Sequence, residues 1–215
     1  MSSPDPPRGP DELNDRFGGI DIYLFDQLLR GRITPSMTIL DAGCGGGRNV
    51  HYLMRCGADV FGIDSDLDQI ERIRARAAEF APNLPSTNFS VGHVGDMPFA
   101  DGYFDVVISS AVLHFADDEE QFEAMVVEMW RVLAPGGILF ARLASTIGIE
   151  SRVTPKHGRW HLLPDGSDRF LVDENYLLKI TSDLGGQLLD PIKTTNVQNL
   201  RAMTTWVVRK AAHGI

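Results

Sequence analysis

The sequence predicts an α/β domain built on a doubly wound, mostly parallel sheet that ends in an antiparallel C-terminal hairpin. Three observations carry this expectation. Short apolar strands alternate with amphipathic helices from about residue 37 to residue 144, the pattern of a parallel sheet covered by helices. The first strand runs directly into Gly43-Cys44-Gly45-Gly46-Gly47, a glycine cluster of the kind that turns a strand into a helix beside a bound nucleotide. Two extended segments, about 187–195 and 202–209, flank Asn196-Val197-Gln198-Asn199 and read as a terminal hairpin.

In chain order, residues 1–12 are proline-rich and polar and read as a disordered tail. Residues 13–36 read as a helical cap: Leu13, Phe17, Ile20, Tyr23 and Leu28 recur at roughly helical spacing, with a break at Gly18-Gly19 and a stop at Thr34-Pro35-Ser36. The cofactor-binding core spans 37–144. Its first strand, about 37–42, leads through the glycines into a helix from Gly47 to Arg55. A second strand covers Asp59 to Asp64, and a helix covers Ser65 to Ala81, where Leu67, Ile70, Ile73 and Ala77 share one face and Ser65 opens a capping-box spacing. A third strand lies near Asn88 to Val94. The fourth, Phe104 to Ser110, is almost continuously apolar, as suits a strand buried on both faces. Glu119 to Leu133 is amphipathic and stops at Pro135-Gly136-Gly137, after which Ile138 to Ala144 forms the fifth strand. Residues 145–172 read as a loop-rich lid, and 173–215 as a final helix, Asp173 to Leu184, followed by the hairpin. Residues 13–215 are expected to form one domain.

Composition narrows the function. A chain of 215 residues suits one α/β domain with a sizeable core. The apolar fraction is 43%, and no apolar run is long enough to span a bilayer. The N-terminal residues lack the basic start and apolar stretch of a signal peptide. Only Cys44 and Cys56 are present, so no disulfide framework is expected and the reducing cytoplasm is the expected location. The net charge of -9 argues against a nucleic-acid partner.

The glycines let a ligand lie against the backbone, and a helix opening straight afterwards would aim free N–H groups at it. Asp41, just ahead of them, favours a cationic ligand and opposes a bare pyrophosphate. Four elements stand in register: Leu40-Asp41-Ala42-Gly43-Cys44-Gly45-Gly46-Gly47, the acidic strand end Asp64, Gly95-Asp96-Met97-Pro98, and Arg131 to Gly137 with its Pro-Gly-Gly. This set resembles the class I S-adenosylmethionine-dependent methyltransferases, in the small-molecule, type-11-like branch, over about residues 37–144. The terminal hairpin fits that family's seven-stranded Rossmann-like sheet with its antiparallel last strand. An NAD-binding domain is the alternative for a glycine turn followed by an acid. The G-x-G-G-G spacing behind Asp41, and the two later elements, favour the methyl donor.

The resemblance implies a role for each position. Asp41 would face the ammonium of S-adenosylmethionine, directly or through water, while the backbone of Gly43, Cys44 and Gly45 passes its methionyl part. Asp64 would take the ribose hydroxyls, and Ser65 would lie beside the adenine. Asp96 would accept from the adenine amine, and the Met97 N–H would reach a ring nitrogen. Ser110 and Ala111 would border the sulfonium. His114 is the candidate base, although in this family such a histidine also orders its loop. Arg16 or Arg48 would meet the methionyl carboxylate. Phe17, Tyr23, Trp160, His161, Arg169 and Phe170 are the candidate walls of the acceptor pocket. No metal is expected, because His157 and His161 have no third ligand. The function implied is methyl transfer by in-line displacement to a small molecule, leaving S-adenosylhomocysteine; the alternative is a non-catalytic protein that binds the same cofactor.

Overall fold

The computed structural model describes residues 10–212. The tail expected over residues 1–9 lies outside them, whereas residues 10–12 already belong to helix α1, Pro10–Phe17. Proline suits a first helical turn, whose N–H groups are unpaired in any case. After Gly18-Gly19 comes α2, Ile22–Leu29, capped by Asp21, whose carboxylate accepts the Tyr23 N–H.

The strands that follow are β1 Thr38–Ala42, β2 Asp59–Asp64, β3 Phe89–Val91, β4 Phe104–Ser110 and β5 Leu133–Ser145. Interleaved with them are the helices α3 His51–Arg55, α4 Leu67–Phe80 and α5 Glu119–Val132. Beyond β5 come three short strands, β6 Thr154–His157, β7 Trp160–Leu162 and β8 Asp168–Phe170, then α6 Glu174–Asp183 and the strands β9 Gly186–Leu188, β10 Lys193–Val197 and β11 Arg201–Lys210. The main sheet runs β10-β11-β5-β4-β1-β2-β3, with β9 pairing with β11 off this path. The pairs among β1 to β5 are parallel, and β11 is antiparallel to β5. The chain winds outward from β1 to β3 and then returns to lay β4 on the other side of β1. That reversal opens a crevice at the carboxyl ends of β1 and β4.

Alternating side chains divide the core in two, as the two-residue period of a strand requires. Leu40, Ala42 and Val107 face α5 and α6, while Ile39, Val106 and Ile108 face α2, α3 and α4.

Several local expectations are corrected. Residues 47–50 form turns, so α3 begins at His51 and is five residues long. Asp66, not Ser65, caps α4, its carboxylate accepting the Asp68 N–H at 2.8 Å; Leu67 is consequently 52% exposed, while Ile70, Ile73 and Ala77 are buried. β3 ends at Val91, three residues early. The Pro135-Gly136-Gly137 segment lies within β5, where the pairing with β4 shifts register. Residues 145–172 contain an antiparallel sheet, β6-β7-β8; its strands are short, and β6 is exposed throughout, so they carry no apolar alternation to read. The first hairpin segment is broken at Asp190-Pro191, where the buried Asp190 carboxylate takes Gln27 Nε2 at 2.9 Å and Arg32 at 2.8 Å. The hairpin connection, residues 198–200 between the paired Val197 and Arg201, places Gln198 and Asn199 at positive φ and closes with the Leu200 N–H on Val197 O at 2.9 Å. No helix among the described residues is long and apolar enough to cross a membrane.

One ion pair fastens the N-terminal helices to the sheet. Asp21, with no exposed side-chain surface, accepts from Arg142 of β5 at 2.6 Å. Removing one partner of a buried pair strands the other charge. Arg142→Met is therefore expected to lower the unfolding free energy by about 3 kcal/mol in urea titration, and adding Asp21→Asn should recover much of the loss.

Candidate active site

The crevice at the switch point is a cavity of about 810 Å³, within the range of small-molecule sites. Its walls are the strand-end segments Gly43–Gly46, Asp64-Ser65, Gly92–Gly95 and Ser110–Val112, together with residues of α4, α5 and the turn after β4. Gly43 and Cys44 both donate backbone N–H groups to Ile63 O, at 2.8 and 3.0 Å, which pins the glycine turn to β2. Gly43 has φ +83°, and a Cβ there would run into the Val112 side chain. Gly43→Ala combines left-handed strain with overpacking; it is expected to cost about 2 kcal/mol of stability, read by thermal unfolding, and to narrow the cavity mouth.

Asp64 is held from both sides. Its Oδ2 accepts the Gly45 N–H at 2.8 Å and its Oδ1 the Asp66 N–H at 3.0 Å. Each carboxylate oxygen retains capacity for a further donor. Across the cavity, Ala111 has φ +66°, and its N–H is tied to Arg142 O at 2.8 Å. Such strain persists only where neighbours enforce it. Ser110 Oγ accepts from Arg48 at 3.2 Å.

Asp41 is fully buried beneath the turn, and neither carboxylate oxygen has a hydrogen-bond partner among the described residues. Burial pushes its pKa up to about 8, with Asp64 adding to the rise and Arg48 opposing it. It lies beneath the cavity wall rather than on it, so it acts on the cavity as a buried carboxyl below the turn. Burial, with Asp41 and Asp64 nearby, also holds the Cys44 thiol protonated.

His114 is likewise off the wall. It is 6% exposed, and its Nδ1 accepts the Ala144 N–H at 3.3 Å. Burial lowers its pKa to about 4, helped by Arg169. As a neutral imidazole it fastens the turn after β4 to β5, the loop-ordering role that the sequence offered beside that of a base.

Asp96 and Met97 are not among the residues that line the cavity. Because β3 ends at Val91, the first residues beyond it are Gly92, His93 and Val94, and these line the cavity. The Asp96 N–H bonds back to His93 O at 3.1 Å, turning the chain away. The Met97 N–H is already used by Glu128 Oε1 at 2.7 Å, a carboxylate gripped by Arg131.

The six expected acceptor-pocket residues all lie off the wall. Phe17 packs on Phe25 and Tyr52, at ring separations of 5.0 Å. The Tyr23 hydroxyl pairs with Thr195 Oγ1 at 2.7 Å. Phe170 is buried and stacked on Phe122. His161 Nδ1 lies 2.9 Å from Arg159 O. Trp160 Nε1 donates to Asp117 O at 2.7 Å, and the Arg169 guanidinium covers the Phe115 ring at 4.9 Å. Trp160 and Arg169 thus join the β6-β7-β8 sheet to the turn after β4 from behind. The wall residues sequence reasoning missed include Phe115, Gln121, Met125, Arg72 and Arg76. Met125 lies on the inward face of α5, and Phe115, 56% exposed, follows His114 in the turn after β4. No cluster of metal-ligating side chains exists among the described residues.

A family model described as a methyltransferase domain matches residues 40–141, the span that supplies the four strand-end segments of the wall. Over that span the chain is similar to the class I S-adenosylmethionine-dependent methyltransferases. An uncharacterized methyltransferase of Synechocystis is 35% identical over 106 residues, covering 49% of this chain and 46% of that protein. A ubiquinone biosynthesis O-methyltransferase of Mesorhizobium japonicum is 32% identical over 167 residues, covering 75% and 63%. The chain spans about half the length of the first curated relatives it matches. Among solved structures, the magnesium protoporphyrin IX methyltransferase of Synechocystis with bound S-adenosylhomocysteine shares the fold, with a TM-score of 0.67, 18% identity, and coverage of 97% of this chain and 90% of that one.

Proposed function

We propose that the chain is an S-adenosylmethionine-dependent methyltransferase acting on a small molecule. The observation that carries this reading is the convergence of the pinned glycine turn, the doubly held Asp64 and the strained end of β4 on one cavity of about 810 Å³. The residues present fit the cofactor. A cation above the turn relieves the unpartnered Asp41 carboxyl below it, and the missing Cβ at Gly43 leaves backbone for the methionyl part to lie against.

When bound, S-adenosylmethionine supplies an activated methyl group that passes to the acceptor in one in-line displacement, the sulfur keeping the electron pair of the broken bond. The protein's work is alignment and exclusion of water. Asp64 orients the ribose through its free lone pairs. Gly43, Cys44 and Gly45 receive the methionyl chain, Ser65 and the segment Gly92–Gly95 flank the adenine, and Ser110 and Ala111 border the reacting end. The small-molecule acceptor is supported by relatives that act in ubiquinone biosynthesis and on magnesium protoporphyrin IX and by a cavity of small-molecule size between α4 and the turn after β4. The net charge of -9 disfavours a nucleic-acid acceptor.

Calorimetry with S-adenosylhomocysteine tests the cofactor assignment, and absence of binding would overturn it. Transfer of label from methyl-labelled donor to members of an acceptor panel tests the activity; tight binding without turnover on any acceptor would favour the non-catalytic alternative.

A further inference from the structure

A second cavity, of about 710 Å³, adjoins the first, and Arg48 and Arg76 line both. It lies between α1, α3 and the C-terminal half of α4, with Arg55, Glu79 and Phe80 on its walls. Arg72 stands one turn before Arg76 on α4 and lines the first cavity beside the glycine turn; a Cβ at Gly46 would lie 3.8 Å from Arg72 Cβ. Arg48 donates to Gly19 O at 3.3 Å and Ser110 Oγ at 3.2 Å, both uncharged. Arg72 and Arg76 make no hydrogen bond or ion pair with any described residue, although Glu79 is three positions from Arg76. At i,i+4 their like charges repel. Arg55, farther along, donates to Asp15 O and lies 4.9 Å above the Phe80 ring. A chain of net charge -9 therefore keeps three arginines without an ion-pair partner among the described residues where these two cavities meet, although Asp15 and Glu79 also line the second.

We propose that Arg48 and Arg76, with Arg72 beside them, bind an anionic group of the methyl acceptor, a carboxylate or phosphate. The acceptor occupies the second cavity and reaches the first with its reacting end toward Ser110 and Ala111. The guanidinium fork matches such oxyanions in shape and charge. Because Arg48 already touches Ser110, an anion on this wall lies next to the end of β4. The cofactor's own carboxylate has the same chemistry, and the test separates the two sources. The inference rests on the methyltransferase reading of the first cavity.

Inorganic phosphate and succinate are titrated calorimetrically, at low salt, into the free protein and into protein saturated with S-adenosylhomocysteine. Wild type is compared with the Arg72→Gln/Arg76→Gln double variant. Both probes are expected to bind the loaded protein, and the double variant to bind them at least about tenfold more weakly. Affinity for S-adenosylhomocysteine is measured in both proteins, and a loss in the double variant as large as the loss of probe binding assigns the arginines to the cofactor's carboxylate and overturns the proposal. Loss of probe binding on loading assigns the wall to the cofactor's carboxylate and overturns the proposal, as does equal probe affinity in the double variant. If S-adenosylhomocysteine does not bind while the probes still bind in an arginine-dependent way, the methyltransferase reading falls and the anion site stands.

Discussion

Asp41→Asn is expected to remove a loss of stability that the ligand-free protein suffers as the pH rises toward 8. The folded-state pKa of Asp41 is raised from 3.8 to about 8, so its contribution is fully present below pH 3.8 and is lost as the pH climbs through 8. His114 acts in the opposite direction. Its pKa falls from 6.5 to about 4, so the neutral ring favours the fold above pH 6.5 and that advantage is lost as the pH drops toward 4. Between about pH 4 and 6.5 the two slopes cancel. From pH 6.5 to 8 Asp41 acts without this opposition and lowers stability by about 2 kcal/mol, at roughly 1.4 kcal/mol per unit. The full difference between variant and wild type at pH 9 is on the order of 5 kcal/mol. Urea titrations across this range check it, and parallel pH profiles for the two proteins would refute it. A bound cation lowers the pKa of a nearby carboxyl. S-adenosylhomocysteine binding at pH 7 should therefore release close to one proton from wild type and none from Asp41→Asn, read from binding heats in buffers of different ionisation enthalpy.

Asp64→Ala is expected to weaken cofactor binding by about 3–6 kcal/mol, the scale of two hydrogen bonds to a charged group, or roughly a hundredfold or more. It also frees the Gly45 and Asp66 N–H groups that Asp64 now holds, loosening the turn. Asp64→Asn keeps one acceptor oxygen and should fall between. Calorimetry with S-adenosylhomocysteine reads the affinities, and a thermal midpoint measured alongside separates loss of binding from loss of fold. Wild-type affinity in the alanine variant would remove the ribose assignment.

The sheet was legible because its signal is long-range and repetitive. Ile39, Val106 and Ile108 alternate with Leu40 and Val107 across two cores, and one misplaced residue would expose a whole face. Asp64 and the glycine turn were legible because few residue types can occupy a sharp strand end beside a ligand. Boundaries were harder. β3 reads three residues too long in the sequence, because the chain leaves the strand at Gly92 while Val94 is still apolar and buried. The acceptor walls were the least legible: Tyr23 and Phe170 are aromatic for packing, and nothing local distinguishes a buried ring from a cavity wall. The β6-β7-β8 sheet escaped because hairpins of polar, exposed strands resemble loops in composition.

Arg142 joins two things that the chain keeps far apart. Its side chain holds Asp21, and its carbonyl oxygen holds the N–H of Ala111. Departure of the N-terminal helices from the sheet and relaxation of the left-handed residue at the reacting end are therefore one event, not two. The amide of Ala111 becomes a reporter of that opening: its hydrogen exchange should accelerate in Arg142→Met, although the residue itself is untouched. One residue of β5 thus connects the N-terminal helices, through its side chain, with the end of β4, through its carbonyl.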